Sequence, residues 1–384
     1  MSNANRLQNT KADAGTATGK LLSNRELNRA LLARQMLLHR VKLPVLEAVE
    51  KLGGLQAQSP HAPYYGLWSR IEDFRQDALS DLLHDRQVVR MALMRSTLHL
   101  VSAREALRLR PLLQPVMDRS LKGAFGKKLI GIDQEALAAA GRELVDKKPM
   151  TFNELGMQLR ELWTGLDPEA AAAVVRNKVP LVQTPPRGVW GESGQAVHTS
   201  VAAWLGEPLS ASPEPEWLVR KYLAAFGPAT VKDIQVWSGL TRMDAIIRTL
   251  RPELIAFRNE RGEELLDLAD APRPDAGTPC EPRFLGEFDN MLLSYKDRGR
   301  ILDEAHRRHV FTSNGIIRAT FLIDGFVAGT WRLTSGRKGD VLHIEPFLEL
   351  PRQALNALNE EGARMLRFAG SNASASELIV HESK

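Results

Sequence analysis

The amino-acid sequence predicts an α+β protein: three winged-helix motifs in tandem, then a strand-rich C-terminal domain. Three observations predict it. A pattern of helices followed by a two-strand hairpin recurs three times between residues 23 and 268. A proline-rich break at 271–279 then separates this part from chain of a different texture. Beyond the break, Asp324-Gly325 lies between two apolar runs, a hairpin signal. The length of 384 residues suits two or three folded units, and 43% apolar residues suffice for a real core.

The elements follow in order. Residues 1–20 are polar, lack the apolar stretch of a signal peptide and read as a flexible tail. The first winged helix, with a basic extension, takes 21–130. Ser23 caps a helix, with Glu26 completing a capping box, and Leu27, Leu31, Met36 and Leu38 follow at roughly helical spacing. Pro44 opens a second helix that stops at Gly53-Gly54. A third fits 78–85, and 88–101 reads as two strands. The second winged helix takes 131–212. It has a helix from Asp133, another capped by Thr151 and Glu154, and a third over 170–175. Strand 179–184, a turn at 185–188 and strand 189–191 follow. The third takes 213–270, with helices at 216–226 and 241–250 and a hairpin of 254–258 with 264–268. After the linker at 271–279, the domain at 280–370 has strands around Asp324-Gly325, another from Asp340, and a helix over 354–368. Residues 371–384 read as a loose tail.

Charge and cysteine content narrow the function classes. Cys280 is the single cysteine, so no internal disulfide forms and a four-cysteine zinc site is excluded. No apolar run approaches the ~20 residues needed to cross a bilayer, and the single cysteine fits a reducing cytosol, so a cytoplasmic protein is expected. The net charge is +5, a mild excess. Residues 85–128 hold ten Lys and Arg against three acids, a surplus larger than that of the whole chain. Such a patch suits a phosphate backbone, and equally a solvated helical face.

Most catalytic signatures are missing. The histidines are scattered; His306 and His309 lie three apart without a third ligand nearby. There is no Walker loop, dinucleotide fingerprint or Gly-x-Ser-x-Gly elbow. No metal or cofactor is expected. What stands out is Gly53-Gly54-Leu55-Gln56-Ala57-Gln58-Ser59-Pro60. The glycines end a helix and Pro60 biases Ser59 away from one, so Gln56 and Gln58 project from extended chain on one face. Two neighbouring amides can hold one water. From spacing alone they could equally bond to backbone at a turn.

The motif Gly54-Leu55-Gln56-Ala57-Gln58-Ser59-Pro60, with Tyr64-Tyr65-Gly66-Leu67-Trp68-Ser69-Arg70 after it, resembles the AlkZ/YcaQ-like winged-helix DNA glycosylases. So do Arg95-Ser96-Thr97-Leu98-His99, the 288–301 block with Leu293-Ser294 and Asp297-Arg298, and Asp324-Gly325-Phe326-Val327. The resemblance runs from about Ser23 to Phe368. It implies tandem winged helices joined to a C-terminal β-rich, barrel-like domain around a positively lined concave DNA channel. It implies excision of N7-alkylguanines, in some members those forming interstrand crosslinks. The catalytic motif is Gln-x-Gln in the AlkZ-like branch, which Gln56-Ala57-Gln58 matches. The family's usual histidine before Asp-Arg is Tyr295 here.

The chemistry agrees with the resemblance. N7-alkylation makes guanine a cationic leaving group, so neutral amides that place a water at C1′ suffice, and no catalytic lysine is implied. The expectation is a monofunctional, monomeric glycosylase acting on duplex DNA carrying alkylated guanine. Its catalytic residues are Gln56 and Gln58, and its DNA contacts are Arg95, Tyr295, Arg298 and Arg300. Trp68 and Trp331 read as core rather than base-stacking residues. The biological setting would be general alkylation repair or self-resistance in a producer of an alkylating metabolite. The rival reading is a non-catalytic winged-helix regulator, weakened by two glutamates on the candidate recognition helix before Gly53.

Overall fold

The computed structural model describes residues 19–336, 339–370 and 376–383. Capping chemistry starts its helices where the side chains allow. Ser23 and Glu26 cap Asn24–Arg34 reciprocally, and Thr151 and Glu154 do the same for Phe152–Leu162. A third box, Thr230 with Asp233, starts Val231–Ser238, a helix the sequence pattern leaves unassigned. Helix Val45–Lys51 ends at Gly53 and Gly54, both at positive φ. The expected basic extension is two helices, Ala103–Leu112 and Gln114–Phe125. Another short helix, Ala62–Trp68, follows the glutamine motif.

Three sheets form. The first is antiparallel, in the order Leu55–Gln56, Leu98–Ser102, Val88–Ala92, Leu181–Gln183, His198–Ser200. Strands assigned to the first and second winged helices therefore share one sheet, through Arg90 opposite Gln183 and Met91 opposite Val182. The expected strand at 189–191 is a turn instead, and His198–Ser200 takes its place beside Leu181–Gln183. Pro185 and Pro186 have no N–H for a ladder, and Val189 donates back to the Pro186 carbonyl at 3.1 Å.

The second sheet contains the expected hairpin, Leu254–Asn259 with Glu264–Leu268. Lys20–Leu22 adds to it in parallel, so the last residue of the expected tail is part of a strand, while residues 1–18 lie outside the described residues. The third has the order Glu377–Val380, Gly339–Pro346, Phe326–Gly336, Thr320–Ile323, Arg283–Leu285. Asp324 and Gly325 make its hairpin turn, both at positive φ. Two expectations are corrected here. This sheet is open, because its edge strands Arg283–Leu285 and Glu377–Val380 do not pair, so it is not barrel-like. The supposed C-terminal tail supplies the strand Glu377–Val380, parallel to Gly339–Pro346.

Packing then brings distant segments together. Helix Arg352–Phe368 lays Leu358, Met365 and Leu366 on the C-terminal sheet. The same cluster holds Tyr64, Leu67 and Trp68 of the N-terminal part with Phe284, Phe321 and Trp331 of the C-terminal part. Burial of large aromatic and aliphatic side chains contributes about 1.5–3 kcal/mol each. This shared core sets residues 283–290 against residues 52–66.

Candidate active site

The glutamine motif is an edge strand. Leu55–Gln56 pairs with Leu98–Ser102, with Gln56 opposite His99, and the Ala57 N–H continues the ladder to the Leu98 carbonyl at 2.8 Å. Alternation puts Leu55 and Ala57 into the core. The side chains of Gln56 and Gln58 meet, the Gln56 amide nitrogen donating to Gln58 Oε1. Gln56 is buried and Gln58 is exposed. Gly54 enables the approach: at φ +81, a Cβ there would stand 2.6 Å from a Val101 methyl.

Three side chains clamp this strand. Asn290 Oδ1 accepts from the Gln56 N–H at 3.3 Å, while its Nδ2 donates to the carbonyls of Leu52 and Gly54. Arg90 donates to the Ala57 carbonyl at 2.9 Å and is buried. Arg95, at φ +56 in the turn between the paired strands, donates to Gln56 Oε1 at 2.7 Å and to the Trp237 carbonyl.

These bonds orient both amides. A guanidinium has only donors, so the group facing it on Gln56 is the oxygen, and the nitrogen turns to Gln58. That nitrogen is a donor, so Gln58 presents Oε1 inward and leaves its own Nε2 toward solvent. His99 sits behind the pair. Its Nδ1 donates to the Thr97 carbonyl at 2.9 Å, which leaves Nε2 as an acceptor 3.5 Å from Arg95. Burial, then the nearby Arg95 charge, pushes the His99 pKa down to about 3. Burial, then the Arg298 charge, takes Arg95 down to about 10. The centre thus holds two amides, a neutral imidazole and one fixed cation at pH 7.

The model of the family described as "DNA glycosylase AlkZ-like" matches residues 49–368. The chain belongs to the AlkZ-like DNA glycosylase family. The match includes the glutamine strand and all three clamping side chains. An interstrand DNA cross-link repair glycosylase of Streptomyces sahachiroi is 27% identical over 380 residues, covering 88% of this chain and 94% of the relative. The solved structure of Streptomyces sahachiroi DNA glycosylase AlkZ superimposes with a TM-score of 0.76 at 22% identity, covering 94% of this chain and all of that one. That likeness supports the fold.

The other predicted site residues scatter. Arg95 faces the glutamines with two of its nitrogens committed to protein acceptors. Tyr295 is buried, and its hydroxyl donates to the Phe226 carbonyl at 2.5 Å. Arg300 is buried too, donating to the Pro228 carbonyl at 2.8 Å and lying 4.2 Å from the Tyr295 ring centroid. Tyr295 and Arg300 are therefore packing partners and present no surface to DNA in this conformation. Arg298 is half-buried, with Nε on the Leu292 carbonyl at 2.6 Å and its guanidinium over Phe311.

The basic stretch at 85–128 divides: Arg86, Arg104, Arg119, Lys122, Lys127 and Lys128 are exposed, and the other four are not. Arg90 and Arg110 are buried; Arg86 stacks on Trp204, Arg108 on Trp217. Arg104 pairs with Glu50 and Lys128 with Asp167. Trp68 and Trp331 are core residues, the latter donating Nε1 to the Leu285 carbonyl. Cys280 is half-buried and its thiol pKa is raised by burial, the opposite of an activated nucleophile. His306 stacks on Phe347 at 4.7 Å.

Sequence reasoning missed Asn290, Arg90 and His99 as supports of the glutamine strand. All three lie within or beside recognisable motifs. Nothing in the spacing, however, connects position 290 with positions 54 and 56.

Proposed function

We propose that this protein hydrolyses the N-glycosidic bond of N7-alkylguanine in duplex DNA, with Gln56 and Gln58 positioning the attacking water. The carrying observation is the chain of hydrogen bonds from Arg95 through Gln56 to Gln58. It holds two neutral acceptor oxygens in one orientation at the exposed end of a buried strand. A water that donates to these oxygens keeps a lone pair for C1′. As the C1′–N9 bond breaks, its electrons neutralise the cationic N7-alkylguanine. The new C–O bond forms at C1′, and the surplus water proton passes to solvent. The products are an abasic sugar and free N7-alkylguanine.

Because the leaving group is already cationic, no acid is required, and a site of amides suffices. Unmodified guanine lacks that charge and would leave slowly. The name of the Streptomyces relative supports extending this reading to interstrand crosslinks. No lysine among the described residues bonds to either glutamine, in keeping with hydrolysis without strand cleavage. Arg298, whose terminal nitrogens have no hydrogen-bond partner among the described residues, is the phosphate contact we favour. The enzyme would act as a monomer in the cytoplasm, with no cofactor.

The test is release of base from a duplex carrying one N7-methylguanine, under single-turnover conditions. Wild type should release the base. Gln56→Ala and Gln58→Ala should each slow release by about 100-fold or more, with duplex affinity retained. Tight binding without release by any variant would return the chain to the regulator reading. Equal release by wild type and both variants would remove the glutamines from the mechanism.

A further inference from the structure

The turn that carries Arg95 is strained. Arg95 and Ser96 are the central residues of Met94–Thr97, a turn closed by the Thr97 N–H on the Met94 carbonyl at 3.0 Å. Both lie at positive φ, +56 and +58. Turns of this hand between paired strands favour asparagine and glycine, which adopt that conformation at little cost; arginine and serine do not. Ser96 is also buried, and its hydroxyl has no hydrogen-bond partner among the described residues. Strain of this kind persists only where the surrounding structure holds it, and it gathers at functional sites.

Two neighbours hold this turn. The first is the 237–239 segment. Gly239 stands so close that a Cβ there would lie 3.2 Å from both the nitrogen and the Cα of Arg95, and the Arg95 guanidinium donates to the Trp237 carbonyl. The second is Arg176, which donates through Nη2 to the Ser96 carbonyl at 2.9 Å. Arg176 sits in the last turn of helix Pro168–Lys178. Residues 170–175 of that helix are all buried, and the Asn177 carbonyl at its end accepts from Arg110 at 2.6 Å, so the helix end is a fixed point. The Arg176 guanidinium is half-buried and makes no ion pair among the described residues; burial lowers its pKa. A cation taken partly out of water without a carboxylate is costly to keep. Its one side-chain hydrogen bond among the described residues goes to the backbone of the Arg95 turn.

We propose that Arg176 is a positioning residue for the hydrolysis. By holding the Ser96 carbonyl it keeps the strained turn closed, so that Arg95 meets Gln56 Oε1 at 2.7 Å and the amide pair keeps one orientation. The connection runs from Arg176 to the Ser96 backbone, then from the neighbouring Arg95 side chain through Gln56 to Gln58. This rests on the glycosylase reading above and extends its machinery to a helix that bonds to neither glutamine.

The experiment uses the full chain and single-turnover release from the N7-methylguanine duplex, with duplex Kd at several salt concentrations and Tm measured alongside. Arg176→Met keeps the apolar stem and loses the donor. It should slow release by about tenfold or more and leave Kd and its salt slope unchanged. Because Arg176 acts through Arg95, adding Arg176→Met to Arg95→Met should slow release by less than about a further twofold. Ser96→Gly suits the left-handed conformation, so adding it to Arg176→Met should raise the rate again by about threefold or more. If the methionine variant is unfolded at the assay temperature, Gly239→Ala displaces the same turn and is held to the same rate, Kd and Arg95→Met expectations. A wild-type rate in Arg176→Met would overturn the proposal. So would losses that multiply in the double variant, or no recovery with Ser96→Gly. A raised Kd with a shallower salt slope would make Arg176 a phosphate contact and overturn it too. Failure of wild type to release the base would instead bring down the glycosylase reading, and this role with it.

Discussion

Replacing Arg95 with methionine separates two roles that this guanidinium could play. The apolar stem is kept and the donors are lost. In the fold, Arg95 donates to Gln56 Oε1 at 2.7 Å and to the Trp237 carbonyl. Hydrogen bonds from a charged donor contribute about 1.5–3 kcal/mol each, so about 3–6 kcal/mol is forfeited. Against this, removing the half-buried cation relieves a penalty of at most about 3 kcal/mol, worked from its pKa near 10. With that relief taken in full, the net loss of stability should be about 0–3 kcal/mol, a fall of at most several degrees in Tm.

The catalytic effect should be separable from this loss of stability. Without Arg95, nothing forces the Gln56 oxygen away from Gln58, and the amide pair loses its single orientation. Disordering a positioned water costs about 1.4–2.8 kcal/mol, or about 10- to 100-fold in single-turnover rate. The assay pairs N7-methylguanine release with duplex titrations at several salt concentrations. A positioning residue lowers the rate and leaves duplex Kd and its salt slope unchanged. A phosphate contact does the reverse: Kd rises, and the slope of log K against log salt drops by about 0.9. Arg95→Met with a wild-type rate but a shallower salt slope would refute the positioning role argued here.

The remaining predictions concern support and pH. The described groups around the glutamines do not titrate near neutrality, so single-turnover release should vary less than about twofold between pH 6 and 8.5; a sigmoid centred in that window would reveal a general base. Stability should respond more. His99 and His198 are held neutral by burial, with pKa values near 3 and 4. In the unfolded chain they take up protons below about pH 6.5. Their contribution is complete above that pH and is lost as pH falls towards the folded values, about 4 kcal/mol for the two between pH 7 and 5. Thermal melts at those two pH values measure it. Tyr295→Phe should cost about 1 kcal/mol through the lost bond to Phe226 and leave duplex affinity unchanged; weaker DNA binding without destabilisation would restore Tyr295 to the interface. Gly54→Ala should destabilise by about 2 kcal/mol or more, because it combines positive φ with a Val101 clash, seen as a lowered urea midpoint.

Local features were readable in the chain because they depend on neighbours in sequence. The capping boxes at Ser23 and Thr151, the helix stop at Gly53-Gly54 and the turn at Asp324-Gly325 all lie within a few residues. The shared face of Gln56 and Gln58 follows from the period of extended backbone and needs nothing further. Its motif also carried the resemblance to the family that residues 49–368 match. Charge was only partly informative, for a physical reason. Counting Arg and Lys over 85–128 cannot distinguish a guanidinium on the surface from one capping carbonyls inside, and Arg90 and Arg110 are inside.

Tertiary structure alone decided what surrounds the glutamines. Residues 181–200 join the first sheet because the free edge of Val88–Ala92 accepts Leu181–Gln183, a long-range pairing with no sequence period. Tyr295 and Arg300 turn inward because the Phe226 and Pro228 carbonyls need partners in the core. Asn290 reaches Gly54 and Gln56 across more than two hundred residues. The strand pattern could place two amides side by side, but only packing the 283–290 segment and the Arg95 turn against them could set which atom of each amide points where.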